Sequence, residues 1–313
     1  SLYGKRVSDS LEQASINVKL CTFPPGEASK TLQTAERLYT RLIKAGLLRD
    51  SLIIGLGGGV STDLAGFIAS TYMRSIDLIQ VPTSLLGQVD AAIGGKTGVN
   101  HRLGRNLIGT FYQPRAVLVD PGLLATLDKR EFSSGLSETL KYGFIASPDV
   151  IDLFRKDTAQ LKDPAALDYL IETGCRVKAA VVSADEREGG RRKVLNFGHT
   201  LGHALELVEG VGTRSHGDAV GWGMRWACWI SLQKGYLSRD EFMQAEAAIE
   251  TLGLTPLPLN LKGAELTRVM HRDKKNASAG LSWVLLQGIG TPLIEKAADI
   301  QQYTEEWLAY VSS

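Results

Sequence analysis

Residues 51–73 read SLIIGLGGGVSTDLAGFIASTYM. The opening SLIIGLGGG is a short, continuously apolar run ending in glycines, the pattern of a strand buried on both faces. STDLAGFIASTYM then reads as a helix, with Ser61 or Thr62 as the expected N-cap. Upstream, SKTLQTAERLYTRLIKAGL carries apolar residues at helical spacing, opens on Ser29 as an N-cap and stops near Gly46. Downstream, IDLIQVPTS and RAVLVDP read as two more buried strands. Strands and helices that alternate in this way predict a parallel, doubly wound, Rossmann-like α/β sheet over residues 1–127.

From about residue 128 the character changes. SSGLSETLKYGFIA, PAALDYLIETGCRVKAAVVSADE, GHTLGHALELVE, GDAVGWGMRWACWISLQKG and RDEFMQAEAAIETLG are long and helix-periodic, so residues 128–313 read as a mostly helical second domain. The exception is LSWVLLQGIGTPLIEKA, where Gly288 and Gly290 between β-rich flanks predict a hairpin. At 313 residues the chain exceeds the size at which one hydrophobic core stops growing, which also favours two domains.

Composition narrows the function classes. With 44% hydrophobic and 22% charged residues the chain is an ordinary globular protein. A net charge of +1 argues against a nucleic-acid or anionic-membrane partner, since both demand a basic excess. Cys21, Cys175 and Cys228 are odd in number, far apart and lack CxxC spacing, which suits free thiols in a reducing cytoplasm. No signal peptide is evident, and the apolar stretch AVGWGMRWACWISL is broken by Arg225 and too short to span a bilayer. Leu2 and Tyr3 already resemble a domain interior, so the native start is expected upstream.

Three stretches carry candidate chemistry. Gly57, Gly58 and Gly59 end a strand just before a helix, where backbone N–H groups and the helix dipole can hold a pyrophosphate; the run is not GxGxxG and fits a plain tight turn equally well. QVDAAIGGKTGVNHRLGRNLIG, residues 88–109, is a glycine-dense loop bearing Asp90, Lys96, Asn100, Arg105 and Asn106, suited to a phosphorylated small molecule. In NFGHTLGHALELVEGVGTRSHGDA, residues 196–219, His199 and His203 lie four apart and share a helical face, and His216 precedes Gly217. Catalytic zinc commonly takes three protein ligands. Spacing favours His199 with His203, plus either His216 or a carboxylate from Glu138, Asp185, Glu186, Glu188 or Glu206. Lys141 is one turn from Glu138, and Lys178, Arg192 and Asn196 precede the histidines, a local basic set that points to a polyanionic substrate; each alone would read as a surface charge.

PPGEASKT, GLGGGVSTDLAGFIASTYMR, VPTSLLGQVDAAIGGKTGVN, GRNLIGTFYQP, SETLKYG, DEREGGRRKVLNFGHTLGHALE and SHGDAVGWGM, in this order, resemble the 3-dehydroquinate synthase family over nearly the whole chain. The resemblance implies an NAD- and zinc-dependent cyclisation of 3-deoxy-D-arabino-heptulosonate 7-phosphate to 3-dehydroquinate with release of phosphate, cobalt being the alternative ion. It implies Glu138, His199 and His216 as metal ligands, and Lys96, Lys141 and His203 as catalytic residues, with His203 near the substrate phosphate. Arg74, Asp90, Asn106, Lys178, Arg192, Asn196 and one of Lys274 and Lys275 match substrate-binding positions. Glu27, Lys30, Gly58, Gly59, Asp63, Thr83, Ser84 and Thr126 match cofactor-binding ones. Arg74 corresponds to an arginine that reaches the neighbouring subunit's substrate phosphate, which implies a homodimer. Against the family, the opening strand and helix of the nucleotide domain are missing from the sequence. Thr62 and Ser75 stand where glycine is usual, and Arg105 where lysine is usual, a change that keeps charge but alters geometry.

In such a reaction zinc polarises a ring hydroxyl, NAD⁺ takes and later returns a hydride, and phosphate leaves by elimination between the two steps. Either the phosphate itself or His203 is the candidate base. Rival expectations are a related cyclase of the 2-epi-5-epi-valiolone or 2-deoxy-scyllo-inosose synthase type, an NAD- and metal-dependent alcohol or glycerol dehydrogenase with net redox, and a non-catalytic nucleotide-binding remnant.

Overall fold

A computed structural model describes residues 2–156, 158–210, 212–273 and 281–312. The chain divides into two compact units, Ser1–Leu127 and Asp128–Ser313. Among the described residues no helix is long and apolar enough to cross a membrane.

The first unit runs α1 (Gly4–Gln13), α2 (Leu32–Lys44), β1 (Leu52–Gly57), α3 (Gly59–Thr71), β2 (Asp77–Pro82), β3 (Lys96–His101), β4 (Gly104–Phe111) and β5 (Ala116–Val117). β1, β2 and β5 form a parallel sheet in that order. Its core is built from the apolar stripe Ala35, Leu38 and Leu42 of α2, Leu64, Phe67 and Ile68 of α3, and Tyr72, Ile76 and Val99. Each such leucine or isoleucine taken from water contributes about 1.5–3 kcal/mol.

Three local expectations are corrected. α2 is capped by Thr31, not Ser29: Thr31 is extended and its hydroxyl accepts from the Thr34 N–H at 3.2 Å. Ser29 is held instead in the preceding 3-10 turn, Glu27–Ser29. α3 begins at Gly59 with Gly58 as a cap that has no side chain to offer, so Ser61 and Thr62 lie inside its first turn, their N–H groups donating to the Gly58 carbonyl at 2.8 and 3.1 Å. The stretch expected as a glycine loop is a π-turn over Gly87–Ala91 followed by the antiparallel hairpin β3–β4. Gly98 faces Gly109 across that hairpin, which interrupts the side-chain alternation that normally announces a strand.

The second unit comprises α4 (Lys129–Ile145), α5 (Asp149–Phe154), α6 (Pro164–Ala184), α7 (His199–Val208), α8 (His216–Gln233), α9 (Arg239–Glu250), α10 (Gly263–Asp273), the antiparallel hairpin β6 (Ser282–Leu286) and β7 (Pro292–Lys296), and α11 (Ile300–Ser312). α4 is buried along Ser134–Ile145 and α8 along most of its length. Ring contacts of Trp226 with Trp283 at 5.9 Å and of Trp222 with Trp307 at 6.0 Å hold α8 against β6 and α11.

Candidate functional site

Glu138 lies in the buried middle of α4 and is itself fully buried. An isolated carboxylate in such a place costs several kcal/mol, so it requires cationic partners. Lys141, one turn along the same helix, contacts Oε2 and is equally buried. On the other side, Nε2 of His199 and Nε2 of His216 each stand 3.3 Å from Oε1. Neither carboxylate oxygen receives a well-aligned hydrogen bond, so these are approaches of ligand-type atoms rather than donor–acceptor pairs.

The tautomers sharpen the point. Nδ1 of His199 lies 3.1 Å from the Phe197 carbonyl, an acceptor, so Nδ1 bears the proton and Nε2 presents a lone pair toward Glu138. Nδ1 of His216 lies 3.3 Å from Oε2 of Glu206, leaving its Nε2 in the same relation to Glu138. A lone pair aimed at a carboxylate oxygen repels unless a cation lies between them, and where no metal does so a proton on Nε2 of His216 can take that place. Zinc–ligand bonds of about 2.0–2.1 Å at tetrahedral angles separate neighbouring ligand atoms by about 3.3–3.4 Å. Both Glu138–imidazole distances have that length.

Titration follows the same charges. Burial pushes Glu138 upward, but the Lys141 charge and then the two histidines hold it well below the ordinary carboxylate range. Burial lowers His199 despite the neighbouring Glu138. Burial also works to lower His216, yet the two carboxylates beside it, Glu138 and Glu206, outweigh that and raise it to about 10. With no cation bound, a proton on His216 performs the neutralising role between two carboxylates.

Among the described residues two groups bring metal-type ligand atoms together: Glu138, His199 and His216, and His203, Glu206 and His216. Neither contains both His199 and His203, so the pairing favoured by their spacing is not the one the fold makes. Their rings meet edge to face at 5.3 Å, but His199 opens α7 with its proton fixed on the Phe197 side, while His203 lies one turn deeper. Asp185, Glu186 and Glu188 join neither group. Asp185 closes its own loop by accepting from the N–H groups of Gly189, Gly190 and Arg192, which hold its carboxyl low, and Glu188 accepts from Nδ2 of Asn196 at 2.8 Å.

Close backbone packing sets this geometry. A Cβ on Gly217 would lie 2.2 Å from the Ser134 carbonyl oxygen, and one on Gly223 would lie 1.7 Å from that of Gly198. Glycine at these two places lets α8 settle onto α4 and α7. The Gly217 N–H donates to Oγ of Ser134 at 2.9 Å, and Ser215 caps α8 by accepting from the Asp218 N–H. Arg214, buried, pairs with Glu209 and Asp218 and donates to the carbonyls of Thr255 and Pro256, which fixes the α7–α8 connection. Arg214 and Ser134 escape a reading of the sequence; the only signal was an arginine two residues before His216.

A cavity of about 150 Å³ is lined by Asn196, His199, Thr200, His203, Ala204, Val269 and Met270. Lys178 on α6 and Arg192 are both buried, and Arg192 donates to the Glu186 carbonyl. Lys274 and Lys275 lie outside the described residues.

In the first unit, Lys30 is buried, contacts Asp63 and donates to Oδ1 of Asn106 at 2.5 Å. The Asn106 N–H donates to Asn100 (3.0 Å), whose amide donates to Glu27 (2.7 Å), and Arg105 stands 3.4 Å from Glu27. Residues assigned separately to cofactor and substrate thus form one network. Gly58 and Gly59 start α3; the Thr83 N–H donates to the Gly57 carbonyl at 3.0 Å, Oγ of Ser84 accepts from the Gly87 N–H, and Oγ1 of Thr126 meets Tyr3 at 2.7 Å. Asp90 sits in the π-turn, Lys96 is exposed at the start of β3, and Arg74 is exposed in a turn with positive φ at Met73, Arg74 and Ser75.

Comparison with known proteins covers both units. Residues 20–134 match the family model described as 3-dehydroquinate synthase N-terminal, and residues 135–276 the one described as 3-dehydroquinate synthase C-terminal. A 3-dehydroquinate synthase from Desulforamulus reducens is 45% identical over 292 residues, 92% of this chain and 81% of that protein. Among solved structures, ValA, a 2-epi-5-epi-valiolone synthase from Streptomyces hygroscopicus subsp. jinggangensis with NAD⁺ and Zn²⁺ bound, superposes with a TM-score of 0.91 at 27% identity, covering 99% of this chain and 87% of that one. A 2-deoxy-scyllo-inosose synthase complexed with carbaglucose-6-phosphate, NAD⁺ and Co²⁺ gives 0.87 at 27% identity, with 98% and 88% covered.

Proposed function

The chain belongs to the 3-dehydroquinate synthase family, and from that premise we propose that it converts 3-deoxy-D-arabino-heptulosonate 7-phosphate to 3-dehydroquinate and phosphate using NAD and a zinc ion held by Glu138, His199 and His216. The observation that carries the metal assignment is the convergence of two imidazole Nε2 atoms on one buried carboxylate oxygen at 3.3 Å each. The NAD⁺ with Zn²⁺ or Co²⁺ bound in two structural relatives supports the same cofactors here.

When bound, zinc supplies Lewis-acid polarisation of a substrate hydroxyl and NAD⁺ a reversible hydride acceptor, so no net redox accompanies turnover. Lys141 occupies Oε2 of Glu138, which leaves Oε1 as the ligand atom. The Phe197 carbonyl keeps the His199 proton on Nδ1 and Nε2 available. His203 lines the same cavity as His199 yet stands outside the Glu138 group, which supports a role on the substrate phosphate. Buried Arg192 and Lys178 offer fixed positive charge for the substrate carboxylate and hydroxyls, with Asn196 oriented by Glu188. In the first unit, Gly58, Gly59 and the N-terminus of α3 are the proposed pyrophosphate cradle, and Glu27, Lys30, Asp63, Thr83, Ser84 and Thr126 complete the cofactor contacts. Asp90, Lys96 and Asn106 are proposed substrate contacts. Arg74 is proposed to serve a second copy's site, making the protein a homodimer.

The test is phosphate release from the heptulosonate phosphate with catalytic NAD⁺, with and without a chelator. Phosphate release without NADH accumulation, abolished by the chelator and restored by zinc, is the expected result. Turnover only of a heptose or glucose phosphate would overturn the substrate; steady NADH formation from a simple alcohol would overturn the reaction class.

A further inference from the structure

We propose that Glu206 is a positioning residue of the metal centre: its carboxylate holds the Nδ1 side of His216 and thereby aims Nε2 at Glu138. The inference rests on the zinc reading above.

Three observations carry it. First, Oε2 of Glu206 lies 3.3 Å from Nδ1 of His216, on the opposite edge of the ring from the Nε2 that stands 3.3 Å from Glu138. One imidazole is therefore gripped at both nitrogens, and only the Nδ1–H tautomer leaves a lone pair on the metal side. Second, His216 has the least enclosed side chain of the three ligands, 31% exposed against 12% for His199 and none for Glu138. As the first residue of α8 it lacks a preceding helical turn to wedge its ring, so its orientation must come from a side-chain contact. Third, the two ligand histidines are treated alike. His199 has the Phe197 carbonyl on its Nδ1, and His216 has Glu206. The carbonyl comes with the backbone, whereas the carboxylate is a residue the protein has kept buried, at 7% exposure, on α7. A carboxylate in that place also makes the imidazole a stronger ligand. Glu206 belongs, with His203 and His216, to the second group of ligand-type atoms. The competing role is therefore that of a direct ligand to a second cation, and stoichiometry separates the two.

The test compares the wild-type chain, Glu206→Gln, Glu206→Ala and Glu138→Ala, each stripped of metal and titrated with zinc against a chromophoric chelator without substrate. Metal per chain is counted by elemental analysis, and the His216 tautomer is read from long-range ¹H–¹⁵N correlations of histidine-labelled protein. Wild type is expected to bind one zinc with His216 protonated on Nδ1. Glu206→Ala is expected to lose about 10- to 100-fold in zinc affinity. Glu206→Gln, whose amide oxygen accepts the same hydrogen bond, is expected to stay within about threefold of wild type. A merely structural role would weaken the two variants alike and leave the tautomer unchanged. Unaltered affinity in Glu206→Ala, a glutamine variant as weak as the alanine, or a second zinc lost with Glu206 overturns the proposal. Should the alanine variant fail to fold, a wild-type His216 lacking a hydrogen-bonded Nδ1–H overturns it equally. Glu138→Ala binding zinc like wild type, by contrast, overturns the zinc reading itself.

Discussion

Replacing Gly217 by alanine tests whether backbone packing, rather than the ligand-type side chains alone, sets the proposed metal centre. The added Cβ would lie 2.2 Å from the carbonyl oxygen and 2.4 Å from the Cα of Ser134. Favourable contact between such atoms needs about 3.5 Å, so α8 and α4 must part by roughly 1 Å at this point. Both sides of the clash are main chain, and no rotamer change relieves it. Gly217 follows His216 directly, and Ser134 is one helical turn from Glu138, so the displacement falls on the 3.3 Å edge between Glu138 and His216. Metal sites tolerate departures of only about ±0.2 Å, so His216, a proposed zinc ligand, would be lost to the metal. The expected fall in zinc affinity exceeds the 10- to 100-fold that loss of an outer contact brings, that is, more than about 100-fold. Overpacking of this kind costs about 1–3 kcal/mol, and at about 2–4 °C per kcal/mol for a unit of this size the melting temperature drops by roughly 2–12 °C. Chelator competition and calorimetry read the two effects, with Gly190→Ala, whose Cβ meets nothing within 4 Å, as the control. A Gly217→Ala protein that binds zinc with wild-type affinity and melts with the wild type would refute the reasoning.

Other outcomes follow from the same geometry. His199→Ala should lose zinc, whereas His203→Ala should keep it and lose turnover; equal loss of metal by both, measured by elemental analysis, would reinstate the HxxxH pairing. Since His216 is raised to about 10 in the metal-free protein, zinc must displace its proton. Apparent zinc affinity should therefore climb about tenfold per pH unit between pH 7 and 9, with about one proton released per zinc in calorimetry across buffers of different ionisation enthalpy. The same raised pKa stabilises the zinc-free fold fully below the ordinary histidine value, near 6.5, and this contribution fades as pH rises towards 10, so the metal-free melting temperature should fall over that window. Ser75 is held at φ 111°, a conformation that suits glycine. Ser75→Gly should raise stability by about 0.5–1 kcal/mol after the extra chain entropy of glycine is counted, as read by denaturant titration; a destabilised variant would mean the hydroxyl makes up for the strain.

Features carried by near neighbours in the chain were legible without coordinates. The apolar run into Gly57–Gly59 followed by a helix, the helix-periodic segments beyond residue 128 and the β6–β7 hairpin depend on local spacing, because burial of one face imposes a period of 3.6 or 2 on the residues that supply it. The β3–β4 hairpin was hidden because paired glycines carry no side chains to alternate. The caps at Thr31 and Gly58 turned on the backbone torsion of one residue, which composition does not encode. Local sequence also assembled the roster of ligand-type residues, since histidine and carboxylate are what a metal needs. Helical spacing left open which of those residues group together and the family resemblance only implied a division; the physical grouping is made in three dimensions. His199 and His203 share a face by helical periodicity, yet a helix face says nothing about which ring nitrogen bears the proton or which distant helix it meets. The Phe197 carbonyl, the buried Glu138 of α4 and the close passage of α8 over Ser134 set those directions, and each acts through space between segments far apart in the chain.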